Sequence, residues 1–255
     1  MNKRVSAVFC CLLVSWGSWI TVADQMEADF LPEEEMQVDD YSKIDIPEGK
    51  SAALAAFSEY MLAKKPEERL DKLLKTIDAD PFATIPIACF VRDLEAIKER
   101  SQYREALIKL AERHPEALQL CLTAAYFLSL EKQQVRLIDL VAVAMARIDF
   151  GKLDAKGVGV AANLVSLAVR AYVQTERFES GDEFLQKYMD EKKLTENIRF
   201  LSQALIFYNT AKSKGKDDKG FWWFSESSRE RYRRLYDRLL AQIDTACDSS
   251  SLTDP

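Results

Sequence analysis

Residues 66–115 read PEERLDKLLKTIDADPFATIPIACFVRDLEAIKERSQYREALIKLAERHP. Pro66 suits the first position of a helix, where its missing N–H costs nothing, and Glu67 and Glu68 face the positive end of the helix dipole. Leu70, Leu73, Leu74 and Ile77 follow at the three-and-four spacing of an amphipathic helix, and Asp80-Pro81 ends it. Ile87, Phe90, Val91, Leu94 and Ile97 mark a second helix, and Tyr103, Ala106, Leu107 and Leu110 a third, closed by His114-Pro115. Pro81 and Pro115 therefore stand 34 residues apart.

The same couplet extends in both directions. Upstream, Leu54, Phe57 and Met61 form one apolar stripe, expected to face the core, that breaks at Lys64-Lys65-Pro66. Downstream, Leu118, Leu122, Tyr126 and Leu130 pair with Leu137, Ile138, Val141 and Ile148. A fourth unit holds Ala168 and Tyr172, then Phe178, Gly181 and Leu185, and a fifth spans Asn197–Ala211 and Ser227–Cys247. Ser227-x-x-Glu230 reads as a capping box. Behind it, Tyr232, Leu235, Tyr236, Leu239, Leu240 and Ile243 supply an apolar stripe, while Arg229, Arg231, Arg233, Arg234 and Arg238 supply the polar side. Only eight glycines and seven prolines occur in 255 residues, too few for the turns of a sandwich or barrel.

A helix, a short break, a helix and a proline repeated at 34 residues resembles the tetratricopeptide repeat. The resemblance covers residues 50 to about 192. It implies an all-α fold, a right-handed array of about five antiparallel helical hairpins, because one short hairpin buries its apolar face only by stacking on a neighbour. In such arrays the first helices line a groove. Carried onto the fourth unit, the groove positions are Asn163, Ser166, Arg170 and Gln174, which share one helix face; Arg92, Gln119 and Tyr126 correspond in the less regular units. The implied partner is an extended peptide or a helix of another protein.

Charge and composition divide the chain further. Met1-Asn2-Lys3-Arg4, the apolar stretch Val5–Val22 and the small residues Thr21-Val22-Ala23 read as a signal peptide over 1–23, with an uncleaved anchor as the alternative. Residues 24–48 hold ten acids and one lysine and read as a disordered acidic linker. The repeat domain then covers 49–211, a basic and aromatic loop 212–224, a capping helix 225–248 and a disordered tail 249–255. A periplasmic or secreted protein is expected, with no integral membrane domain once the signal is removed. The whole chain carries a formal charge of −6, which argues against nucleic acid, whose phosphates demand a dominantly basic surface. Cys89 and Cys121 sit in apolar helical stretches, as buried thiols or as one bridge between neighbouring helices.

Catalytic patterns are thin. His114, the only histidine, precedes a proline in a turn and rules out a zinc motif built on two histidines. Gly157-x-Gly159-x-x-Ala162 lacks the preceding strand that a dinucleotide fingerprint needs, and two glycines in a link between hairpins account for it. No carboxylate pair stands out for glycoside hydrolysis. No cofactor, metal or catalytic residue is therefore expected. Phe221-Trp222-Trp223-Phe224 is the unusual element: a staple for the final helix, or an aromatic platform. An exported, non-catalytic scaffold binding a protein or peptide is the first reading. A carbohydrate-binding module or glycan-active enzyme using Trp222 and Trp223 is the second.

Overall fold

A computed structural model describes residues 51–98, 100–214 and 226–250. The expected signal peptide, the acidic linker and the Phe221–Phe224 tetrapeptide lie outside the described residues, as does the tail beyond Ser250.

All regular structure among the described residues is helical. The helices are α1 Ser51–Leu62, α2 Pro66–Ala79, α3 Thr84–Leu94, α4 Arg100–Arg113, α5 Leu118–Leu130 and α6 Gln134–Ala146. After a 3₁₀ turn at Phe150–Lys152 come α7 Ala155–Gln174, α8 Phe178–Gln186, the one-turn α9 Lys192–Thr195, α10 Ile198–Lys214 and α11 Glu226–Ser250. Sequence neighbours pack as spatial neighbours: α1 on α2, α2 on α3, α4 on α5, α5 on α6, α6 on α7, α7 on α8, and α10 on α11. A second set of contacts skips one helix, joining α2 to α4, α3 to α5 and α5 to α7, while α7 also packs on α10.

Local chemistry explains where each helix sits. Pro66 opens α2 with Glu67 and Glu68 in its first turn, and Leu70, Leu73 and Ile77 are fully buried as their spacing requires. α5 carries no charged residue from Leu118 to Leu130, and neighbours α3, α4, α6 and α7 cover it. Asp154 caps α7, its carboxylate accepting from the Gly157 N–H at 2.7 Å. Gly157 and Gly159 thus lie in the first turns of a helix rather than in a link between hairpins.

The turns after α5 and α7 are built alike. Lys132 and Glu176 both adopt a left-handed backbone, with φ of 58° and 56°. In the first turn the Gln133 N–H donates to Leu128 O and Lys132 N–H to Ser129 O; in the second, Arg177 N–H donates to Tyr172 O and Glu176 N–H to Val173 O. This is the Schellman closure twice over, with a non-glycine residue at the strained position each time. A left-handed conformation costs an L-residue about 1–2 kcal/mol, while glycine loses about 0.5–1 kcal/mol of extra chain freedom. Both side chains are exposed, so Lys132→Gly and Glu176→Gly should each raise unfolding stability by roughly 0.5–1 kcal/mol. Urea titrations followed by circular dichroism measure this, and a loss of stability would contradict the turn geometry.

Other sequence expectations need correction. The Leu54, Phe57 and Met61 stripe only partly faces the core: Leu54 is 39% and Met61 47% exposed and Phe57 is half-buried against Tyr60, whereas Ala53 and Tyr60 are buried. Small Ala53 and the flat Tyr60 ring lie on the buried side of α1, and the Tyr60 hydroxyl finds polar partners there. The backbone of Ser227 lies within the first turn of α11 rather than ahead of it, because the helix runs from Glu226. Nor does Arg231 belong to the polar side of that helix, since it turns inward onto Asp182 at 2.7 Å. Cys89 and Cys121 are buried and free, so no bridge joins them. Burial pushes the Cys121 thiol up to about 12, which keeps it protonated as a small apolar group.

Candidate functional site

Contacts join four helices in turn, α3 to α5, α5 to α7 and α7 to α10. They begin at Thr84, Leu118, Ala155 and Ile198, steps of 34, 37 and 43 residues. The interval between them therefore lengthens along the chain while the side-by-side packing continues. The face these helices share is where the sequence placed its candidate groove.

The seam between α7 and α10 is the best-defined part. Arg199 Nη1 donates to Asn163 Oδ1 at 2.6 Å, and Arg170 Nε donates to Gln203 Oε1 at 3.5 Å. Burial, and then the like charge of Arg199, lowers the Arg170 guanidinium from its ordinary range. Arg199 is exposed, and Asn163, Arg170 and Gln203 are half-buried. Two guanidiniums and two side-chain amides thus line one strip. That strip offers N–H donors and amide oxygens, the groups that recognise peptide backbone and carboxylates.

The other expected groove residues divide. Gln174 is exposed at the end of α7, and Gln119 and Tyr126 are half-buried on α5, with the Tyr126 ring 6.3 Å from that of Phe127. Ser166 is only 6% exposed and its hydroxyl donates to the Ala162 carbonyl at 2.8 Å, so it fills the helix interface rather than the strip. Arg92 is drawn elsewhere. Its guanidinium donates to the Tyr60 hydroxyl at 2.8 Å and to Asp93 at 3.1 Å, while Arg69 donates to the same two groups at 2.7 and 2.8 Å. Arg69 also lies 4.6 Å from the centre of the Tyr60 ring. This knot ties α1, α2 and α3 together, and burial raises the Tyr60 hydroxyl pKa. Trp222 and Trp223 lie outside the described residues.

Two features were missed in the sequence. Arg199 and Gln203 complete the seam from α10, and their four-residue spacing on the helix that opens the fifth pair was the available signal. The second is a buried cluster: the Tyr208 hydroxyl donates to Asp182 Oδ1 at 2.6 Å, and Arg231 and Gln186 donate to Asp182 Oδ2 at 2.7 and 3.1 Å. Burial first, and then the bond to Asp182, pushes the Tyr208 pKa up. Asp182 is on α8, Tyr208 on α10 and Arg231 on α11, so the cluster fastens the last helix. His114 occupies the α4–α5 turn, 3.7 Å from both Asp78 and Glu116.

Among the described residues, no group of three His, Cys, Asp or Glu side chains is placed to hold a metal ion. No helix among them is long and apolar enough to cross a membrane. Comparison with family models, with curated proteins and with solved structures gives no match.

Proposed function

We propose that the chain is an exported, non-catalytic, tetratricopeptide-like array of right-handed hairpins that binds a protein or peptide partner of the cell envelope along α3, α5, α7 and α10. The observation that carries this reading is the α7–α10 seam, where Asn163, Arg170, Arg199 and Gln203 present polar groups on the shared face of two hairpin-opening helices. An extended segment needs a strip of that kind, because its backbone must exchange hydrogen bonds with water for hydrogen bonds with the protein. The repeated Schellman closures and the one-to-two-helix packing order support the array, and the basic, apolar and small-residue start of the chain supports export.

The test is site-specific photo-crosslinking in the intact cell envelope. A crosslinker at Gln174 or Tyr126 should capture a discrete partner, whereas one at Lys109, exposed on α4, should not. Equal capture at all three positions, or none at the first two, overturns the reading. N-terminal sequencing of the same preparation should begin at or near Asp24; recovery of Met1 from a soluble cytoplasmic fraction refutes export.

A further inference from the structure

Helix α11 carries two stripes at the alternating three- and four-residue spacing that lets one helix pack along another. The first, Arg231, Leu235, Arg238 and Gln242, faces its own chain. Arg231 is bonded to Asp182 at 2.7 Å and Leu235 is fully buried, while Arg238 donates to the Met189 carbonyl at 3.3 Å and Gln242 to that of Glu196 at 2.8 Å. The second stripe runs through Arg229, Arg233, Tyr236, Leu240 and Ile243, with Tyr232 and Asp244 at its margins. Its apolar members, Tyr236, Leu240 and Ile243, are half-buried, as is Tyr232, whose ring stacks on that of Tyr236 at 6.4 Å and 17°. Docking onto its own fold needs one such stripe, and α11 has two. Charge is ordered along the second, with two arginines at its start and an aspartate at its end. Elsewhere on the helix Arg234 pairs with Glu230 and Arg231 with Asp182. Arg229, Arg233 and Asp244 are exposed and enter no ion pair among the described residues.

We propose that this second stripe is a self-association face, through which two copies of the chain pair their α11 helices antiparallel about a two-fold axis. The contact is separate from the partner-binding face read above and does not depend on it. A two-fold interface must be complementary to itself, since each residue meets the same patch on the other copy. The stripe meets that condition in one direction only. Run antiparallel, Tyr236 of one copy packs on Leu240 of the other, and Arg229 and Arg233 come beside Asp244. Run parallel, arginine faces arginine and aspartate faces aspartate, which like-charge repulsion disfavours. Arginine suits the ends of such a seam, because its stem lies along apolar surface while its head stays in water. A helix of another protein would place no such condition on the order of charges along α11. The stripe is short, roughly 24 Å by the rise of an α-helix, and an interface of this size gives association on the order of micromolar.

The experiment is sedimentation velocity of the full mature chain from about 1 to 200 µM, with helicity checked by circular dichroism. The sedimentation coefficient should rise with concentration towards that of a dimer. Leu240→Glu should abolish the rise, whereas Ala241→Glu, exposed on another side of α11, should leave it in place. Arg233→Glu and Asp244→Arg should each weaken association by about fivefold or more, because a two-fold contact feels each reversal at both ends. The double variant Arg233→Glu with Asp244→Arg restores opposite charges across the pair and should recover most of the parent affinity. That rescue cannot arise within one chain, where the two residues lie roughly 16 Å apart along the helix. A chain that stays monomeric throughout overturns the proposal and leaves the stripe to a helix of another protein. A dimer that survives Leu240→Glu, or a double variant no better than the two single ones, overturns it as well.

Discussion

Asp182→Ala should cost about 3–5 kcal/mol of unfolding stability, the usual penalty for removing one partner of a buried ion pair. The carboxylate is 7% exposed and accepts from Tyr208, Arg231 and Gln186. Its removal takes away the acceptor shared by a fully buried phenol and a guanidinium whose side chain is only 18% exposed. Asp182→Asn keeps an acceptor for the phenol while losing the charge, so its loss should be smaller. The same carboxylate joins α8 to α10 and α11, and the damage should therefore appear first as faster amide exchange in Glu226–Ser250. Placing Asp182→Ala in an Arg231→Met background should shrink the penalty, because no guanidinium then remains to be stranded. A loss within about 0.5 kcal/mol, the range of ordinary surface substitutions, would show that the cluster does not hold the last helix.

A second large effect is expected one residue earlier. A Cβ on Gly181 would lie 2.6 and 2.7 Å from two ring atoms of Phe207 and 3.1 Å from the Tyr172 Cβ. Phe207 is fully buried, its ring 6.1 Å from that of Phe178 and 5.3 Å from that of Tyr208, so it has little room to retreat. Overpacking of this kind costs about 1–3 kcal/mol, and Gly181→Ala should lower the urea midpoint accordingly without changing the helical signal. Phe207→Leu removes the clashing ring atoms. In that background the alanine should be tolerated better than in the parent, a coupling read from a double-mutant cycle. Additive losses would place the strain elsewhere.

Gly181 also marks how far residue matching goes. The sequence shows it only as a small residue in the fourth unit, yet α8 approaches α10 closely enough there to exclude even a methyl group. Spacing along the chain cannot report that distance. The first helix gives a similar lesson. Leu54, Phe57 and Met61 satisfy a helical period, and so do Ala53 and Tyr60, so periodicity alone does not say which face is buried. Packing selected the side of Ala53 and Tyr60, because Tyr60 finds the Arg69 and Arg92 guanidiniums there and fills the core with its ring.

What the sequence determined by itself was the sequence of helices and their breaks. Pro66, Asp80-Pro81 and His114-Pro115 stop or start helices through local backbone sterics and lost donors, and Leu70, Leu73 and Ile77 declare a buried face within two turns. These effects act over a few residues, so they can be read from a few residues. The partners of Arg92, Arg199 and Arg231 could not. An arginine run reads as solvated surface until packing brings Asp182, 49 residues away, within 2.7 Å of Arg231. Which arginine is buried and which is exposed depends on inter-helix distances set by the whole core, and only the tertiary structure decided that.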